Sequence, residues 1–600
     1  MQVVREHRDD LVSRVRVLTV VITGVLVAIA TGFWFTQLVQ GDYYRELAEN
    51  NRLRKLPIKA PRGLIFDRKG RLLVENVPSY NLMIDRSRAA SLDHSLWFAS
   101  GVLGRPVDDL QQILHGYRGV PQFKPVLLAE NLSLSEVARF GVEGLEYPEF
   151  EVEVQHLRLY RHREQTAHIL GYLGEPTLDE IQKSNGFFQP GDMIGKKGIE
   201  QTYDADLRGR DGERVVVVDS RGQLLEEYKR VPAAPGKNLT LSIDLDLQQE
   251  AARWLDGPEK VGAVVAMDPR NGEILALVSA PAFNPNLFSR RLQQADWQAL
   301  IDDPNRPLQN RAIQNTYSPG STFKIVMATA GLTEKVFDDH TPVLCTGSKA
   351  FYGRPFRCWK KGGHGTVEAH SAIKLSCDIY FYTLGQKMGI EKIARYARLF
   401  GLGSATGIDI GGEKRGNVPD PEWSEKVRKQ PWYPGETISV SIGQGPVLVT
   451  PLQMAELTAM VANGGFKVVP HLVKDANLPP PERVAFDADA LRTVRGGMYG
   501  VVNEPGGTGY GSARLPGVAI AGKSGTVQVI AQAQRTEEHN LPFKYRDHAW
   551  FTSFAPADNP ELVVTVFAEH GGGGSKVAAP IAQALYAKYF GIDSGKPPGP

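Results

Sequence analysis

Three short stretches of the chain hold residue types that, brought together, can transfer an acyl group. In the first, Tyr317-Ser318-Pro319-Gly320-Ser321-Thr322-Phe323-Lys324, a serine follows a Pro-Gly turn and a lysine follows the serine by three positions. Phe323, Ile325, Val326, Met327 and Ala328 make the run apolar on every side, which predicts a buried helix starting at Ser321. A hydroxyl at the positive end of such a helix suits a developing oxyanion, and a lysine at i+3 lies one turn away on the same side. A neutral amine there can take the serine proton if burial or a nearby cation lowers its pKa. The spacing alone says little. Ser371-Ala372-Ile373-Lys374 repeats it with no turn ahead and reads as packing or surface residues, and an ordinary helix N-cap is the alternative for Ser321.

The second stretch, Ala521-Gly522-Lys523-Ser524-Gly525-Thr526-Val527, holds the one Lys-Ser/Thr-Gly in the chain. It alternates like an edge strand, with small residues where a ligand backbone could approach. Lys523 would attract a carboxylate, Ser524 and Thr526 offer hydroxyls, and Gly525 leaves room. Between the two lies the third, Ser376-Cys377-Asp378, ahead of the apolar Ile379-Tyr380-Phe381-Tyr382. A Ser-x-Asp triplet is worthless by itself; the order of all three is what carries information.

That ordered set resembles the penicillin-recognising serine acyltransferases, and more closely the class B penicillin-binding proteins of the elongation type. The resemblance runs from the apolar N-terminal segment nearly to the C-terminus. Arg62 to Gly70, Ala167 to Gly171 and Gly195 to Glu200 are similar to the family's non-catalytic signatures, and Gly443-Gln444-Gly445 and Ala549-Trp550-Phe551 to later ones. It implies a peptidoglycan D,D-transpeptidase of cell-wall elongation and rod-shape maintenance, a target of β-lactams. Ser321 would attack the carbonyl between two terminal D-alanines, with Lys324 as general base and Ser376 relaying a proton to the departing nitrogen. Lys523 and Thr526, on the strand with Ser524 and Gly525, would hold the terminal carboxylate. The N–H groups of Ser321 and Thr526 would form the oxyanion hole. A SEDS-type glycan polymerase, RodA, and the scaffold MreC are the partners implied. Asp378 replaces the Asn of the family at large. An ionised Asp cannot donate a hydrogen bond as Asn does, which leaves the proton path open, although elongation-type members share the Asp. A division-type transpeptidase, a β-lactam hydrolase or sensor on the same fold, and a scaffold without activity are the competing readings. No deacylating acid can be named for the hydrolase, and intact Ser321, Lys324 and Lys523 speak against the scaffold.

The only cysteines, Cys345, Cys358 and Cys377, lie close together, with His364 among them. Three thiolates and one imidazole make a closed zinc shell. A Cys345–Cys358 disulfide or three reduced buried thiols are the alternatives, and the spacing is looser than a zinc finger's. The resemblance favours a structural zinc, since some elongation-type members hold a metal at this place. The acyl chemistry itself needs no cofactor.

These residues must be positioned by a chain of 600, with 42% hydrophobic and 23% charged residues, the balance of a globular protein. Lys and Arg number 69 against 67 Asp and Glu, so nothing in the net charge of +2 points to nucleic acid. Val17 to Val39 carries no charge and reaches roughly 33 Å as a helix, enough to cross a bilayer. Arg5, Arg8, Arg14 and Arg16 ahead of it place the N-terminus in the cytoplasm, with the catalytic part in the periplasm, anchored by one pass in the inner membrane.

The expected class is α+β, organised as a cytoplasmic tail over 1–16, a transmembrane helix over 17–39 and a mixed α/β pedestal or dimerisation domain over 40–238. That pedestal would hold a head subdomain near 86–155. A transpeptidase domain over 239–592 and a flexible tail over 593–600 follow. Apolar runs at Gly262 to Met267 and Ile274 to Val278 flank Asp268-Pro269-Arg270-Asn271-Gly272 and predict a hairpin. Ala549 to Phe554 and Leu562 to Phe567 predict two more strands, and Ala578 to Phe590 a closing helix. Together they predict an antiparallel five-stranded sheet, completed by distant segments and flanked by helices. The polar stretch from Ile530 to Arg546 has no assigned role.

Overall fold

The computed structural model describes residues 2–592, apart from 123, 190, 220–223, 291, 475 and 530–540. The expected tail and most of the Ile530 to Arg546 stretch therefore lie outside the described residues.

The N-terminal helix, Gln2–Trp34, continues through a wide turn at Phe35–Val39. Its stretch Leu11–Val39 is long and apolar enough to cross a membrane, and none of its most apolar window is buried within the protein.

The chain divides into two compact units, the first of which includes this helix. One comprises residues 1–61, 78–155 and 209–235. Its three-stranded antiparallel sheet is built from Leu53–Ile58, Gly212–Val218 and Leu224–Val231, with Gly212–Val218 in the centre. Helices Leu92–Leu103, Val107–Gly116 and Leu134–Glu143 enclose a separate small core around Leu96, Phe98, Leu110 and Phe140. Phe98 stacks on Tyr147 at 4.0 Å there, and a Ser133–Glu136 capping box starts the third helix.

The other unit comprises residues 62–77, 156–208 and 236–600. Its centre is the expected five-stranded antiparallel sheet: β1 (Val261–Met267), β2 (Ile274–Ala280), β3 (Ala521–Val527), β4 (His548–Ala555) and β5 (Leu562–Glu569). The order is β2-β1-β5-β4-β3, so β3 is an edge. Helices Leu245–Trp254 and α6 (Ala578–Phe590) cover one face, and α4 (Pro451–Ala462), buried along its whole length, covers the other. Burial on both faces explains why β1 and β2 read as unbroken apolar runs. The remaining helices of the site are α1 (Lys324–Thr333), α2 (Ala369–Lys374), α3 (Asp378–Met388) and α5 (Ala488–Asn503).

Two of the sequence signatures meet in this unit. Glu200 is fully buried and both its oxygens are used: Oε1 accepts from Arg158 Nε at 2.6 Å, and Oε2 accepts from Arg62 Nη2 at 2.8 Å. A buried carboxylate paired this way tolerates the loss of its charge partners poorly. Lys69 donates to Asp244 and Asp246, tying the Arg62 to Gly70 signature to the start of the Leu245–Trp254 helix.

Candidate active site

Ser321 does not begin an α-helix. It sits in a single 3-10 turn, Gly320–Phe323, and α1 starts at Lys324. The difference has a local cause. Gly320 takes φ +55°, and its N–H donates to Gly443 O at 2.9 Å, pulling the backbone away from helical geometry. Gly443 itself has φ +70°, and a Cβ there would lie 2.2 Å from Gly320 O, so only glycine fits. Trp550 Nε1 donates to Ser318 O at 3.0 Å and Thr322 Oγ1 to Pro319 O at 2.7 Å, holding the turn from the sheet and from within. Ser321 is left partly exposed at the end of a buried helix.

Lys324 is fully buried. Its Nζ donates to Ser376 O at 2.9 Å, to Ser376 Oγ at 3.1 Å and to Asp378 Oδ1 at 2.6 Å. Three bonds are as many as the group can donate, and all three go to the second motif. Ser376 holds φ +53°, an unfavourable conformation for a residue with a side chain, in the short connection from α2 to α3. Asp378 opens α3, and its second oxygen accepts from Trp359 N–H at 2.9 Å.

Strand β3 pairs with β4 in the register Lys523↔Thr552 and Thr526↔Ala549. It also packs directly on the Ser321 turn: a Cβ at Gly525 would lie 3.1 Å from both Pro319 O and Thr322 Cγ2. Thr526 is exposed, while Lys523 is wholly buried and donates to Ser524 O at 3.0 Å. Burial pushes the Lys523 amine well below its ordinary value, the charge of Lys324 adds to this, and Asp378 opposes it. The expected Ser321, Lys324, Ser376, Asp378 and Lys523 thus come together, with Ser524, Gly525 and Thr526 alongside.

Three neighbours were not legible. Thr508 Oγ1 lies 2.9 Å from Ser524 Oγ; Gly574 N–H donates to Thr526 Oγ1 at 3.3 Å; and Trp359 reaches both Ser376 and Asp378. The four-glycine run ending at Gly574 was the one visible signal, since a Cβ at Gly574 would lie 2.3 Å from Gly525 O and Trp550 O. The second Ser-x-x-Lys is structural, as expected: Ser371 Oγ accepts from Glu368 N–H and Lys374 pairs with Glu504 at 2.8 Å.

The ligand atoms of Cys345, Cys358, His364 and Cys377 all lie within 4.8 Å of one another, and the three thiols are free and buried. His364 Nδ1 is 3.6 Å from Cys345 Sγ and 3.5 Å from Cys358 Sγ. Zinc bonds of about 2.3 Å to sulfur and about 2.0 Å to nitrogen, arranged tetrahedrally, require separations of this order, so the donor set fits the ion. A hydrogen bond between Cys377 and Cys358 draws the Cys358 thiol below its ordinary value and pushes that of Cys377 up.

With this geometry in view, the profile described as the penicillin binding protein transpeptidase domain matches residues 262–587, and the penicillin-binding protein dimerisation domain matches 57–241. The chain belongs to the penicillin-binding proteins. Within that family, it is 38% identical to the peptidoglycan D,D-transpeptidase MrdA of Haemophilus influenzae over 95% of this chain and 90% of the relative. It is 37% identical to MrdA of Acinetobacter baumannii, over 93% and 85%. Among solved structures, a complex of penicillin-binding protein PBP2 with MreC from Helicobacter pylori superposes with a TM-score of 0.81 at 29% identity. The match covers 90% of this chain and 99% of that one. Pseudomonas aeruginosa PBP2 in complex with WCK 5153 superposes with a TM-score of 0.67 at 32% identity, covering 90% and 97%.

Proposed function

We propose that this penicillin-binding protein is a peptidoglycan D,D-transpeptidase of the elongation type that works through an acyl ester on Ser321. The observation that carries the reading is the convergence of the Ser321 turn, the Lys324–Ser376–Asp378 cluster and the Lys523 to Thr526 strand, in a chain similar to MrdA along nearly its full length. Lys324 first yields one proton to Asp378, 2.6 Å away, and the neutral amine then takes the Ser321 proton as Ser321 Oγ bonds to the carbonyl carbon between two terminal D-alanines. The carbon–nitrogen bond breaks as Ser376 hands its proton to the leaving D-alanine nitrogen and is reprotonated by Lys324, 3.1 Å away. An amine of a neighbouring stem then attacks the ester, forming the cross-link and returning the hydroxyl. The Ser321 and Thr526 N–H groups serve as the oxyanion hole, and Ser524 and Thr526 with Lys523 hold the terminal carboxylate. A β-lactam ring opens on Ser321, but its leaving nitrogen stays tethered, so the ester persists.

Cys345, Cys358, His364 and Cys377 would hold one zinc ion, which supplies a structural cross-link and no acyl chemistry. The helix near the N-terminus anchors the protein in the inner membrane with residues 1–16 in the cytoplasm and the transpeptidase domain, 239–592, in the periplasm. Residues 40–238 serve as the pedestal for a RodA-type glycan polymerase and an MreC-type scaffold, a reading supported by the likeness to PBP2 solved with MreC. Fluorescent penicillin tests the chemistry. The expected result is a persistent adduct, mapped by peptide mass to the Ser321 peptide and lost in Ser321→Ala. A parent protein that never labels, or that sheds the adduct rapidly as a hydrolase does, would overturn it.

A further inference from the structure

Trp359 is more than half exposed, at 59% of its surface, although it bonds directly to one member of a buried ion pair. It follows Cys358 directly, and both of its N–H groups donate to the interior. The backbone N–H donates to Asp378 Oδ2 at 2.9 Å. The indole Nε1–H is shared between Leu375 O and Ser376 O, at 3.2 Å to each. Ser376 O is the same carbonyl that accepts from Lys324 Nζ, and Asp378 is the carboxylate whose other oxygen accepts from it. One residue therefore grips the second motif at the same two points as the lysine, Ser376 O and the Asp378 carboxylate.

From this we infer that Trp359 is a positioning residue for acylation, acting through Ser376 and Asp378 and resting on the transpeptidase reading above. Ser376 needs such support because its φ of +53° is an unfavourable conformation for a residue with a side chain. The peptide after Ser376 is kept in this orientation by two donors, the ammonium group of Lys324 and the indole. Remove the indole donor, and the Ser376 carbonyl is free to turn towards ordinary backbone geometry, carrying Ser376 Oγ away from its 3.1 Å contact with Lys324. The indole N–H bonds to Leu375 O and Ser376 O rather than to β3, so its loss leaves carboxylate binding in place. The tilt of the ring over His364, 5.3 Å between centroids, fixes the indole plane and makes its reach to the two carbonyls a property of the whole Cys358 to His364 loop.

The test compares the parent protein with one in which Trp359 is replaced by 3-benzothienylalanine, which keeps the bicyclic shape and loses only the N–H, and with Trp359→Phe. Acylation by penicillin is followed at several concentrations to separate the rate constant at saturation from the dissociation constant of the encounter complex. The expected result for both variants is a saturated rate about five- to tenfold lower, the effect of one lost hydrogen bond, with the dissociation constant and thermal midpoint unchanged. An unchanged saturated rate in the benzothienyl protein would overturn the inference. So would a rate loss matched by a fallen thermal midpoint, since that is the mark of a merely structural role. If the parent itself fails to acylate at Ser321, the transpeptidase reading falls and takes this one with it; if it acylates and the variants equal it, only this one falls.

Discussion

Lys324 and Lys523 are both buried amines within reach of one carboxylate, yet they stand differently. Lys324 uses all its donors on Ser376 and Asp378, whereas Lys523 has one carbonyl and is driven towards the neutral form by burial and by its neighbour. The hydroxyls of the same strand must then do more of the carboxylate binding, and Ser524 meets a second hydroxyl from Thr508 at 2.9 Å. Replacing Thr508 by Val keeps the shape and removes that partner. Thr508→Val is expected to raise the encounter dissociation constant for penicillin about fivefold with the saturated acylation rate within twofold of the parent, as measured by stopped-flow quenching. An unchanged dissociation constant would remove Thr508 from the binding machinery. Ser321, Lys324, Ser376, Asp378 and Lys523 were legible because each belongs to a short stretch with its own spacing. Thr508 and Trp359 were not, because they reach the site across packed segments, and no fixed interval ties them to the residues they touch.

At the scale of elements, the Ser321 turn shows how a local expectation yields to a neighbour. The apolar run from Phe323 to Ala328 reads as one helix from Ser321 onwards, but the contact between Gly320 and Gly443 converts its first turn to 3-10 geometry. That contact admits no side chain. Gly443→Ala should destabilise the protein by about 1–3 kcal/mol through the forced left-handed backbone and the clash with Gly320 O, and slow penicillin labelling more than tenfold. Thermal unfolding with labelling kinetics checks both, and normal labelling would show that the turn does not depend on this glycine. The sheet was more legible than the turn. Strands covered on both faces announce themselves as continuous apolar runs, and the edge position of β3 showed in its small and polar residues. Metal content is an element-scale matter too. Stripping zinc with a chelator should lower the thermal midpoint by several degrees and slow acylation, since the cluster pins Cys377, between Ser376 and Asp378, to the Cys345 and Cys358 loops. Equal midpoints with and without chelator would argue for plain buried thiols.

The stability of the whole molecule carries a separate signature of pH. Glu456 on α4 lies in the interior with neither oxygen hydrogen-bonded, and its nearest cation, Lys467, is 3.7 Å away. Burial pushes its carboxyl up to about 8, the charge of Glu413 adds to this, and Lys467 opposes it. The folded state holds this proton while the unfolded chain releases it near pH 4.3, so the stabilising contribution is complete below that pH and is lost as pH rises through about 8. The loss is at most about 1.4 kcal/mol per pH unit in that window. Glu456→Gln should therefore gain on the parent in thermal midpoint between pH 5 and 8, and a constant difference across that range would refute the assignment. What the sequence alone determined was the inventory: which side chains could attack, relay and hold, which segment could cross a bilayer, and which runs would become strands. Those are matters of residue type and short-range periodicity. Tertiary structure decided the rest, because an edge strand two hundred positions downstream, a glycine that bends the nucleophile's turn and an indole that grips the second motif meet only through packing.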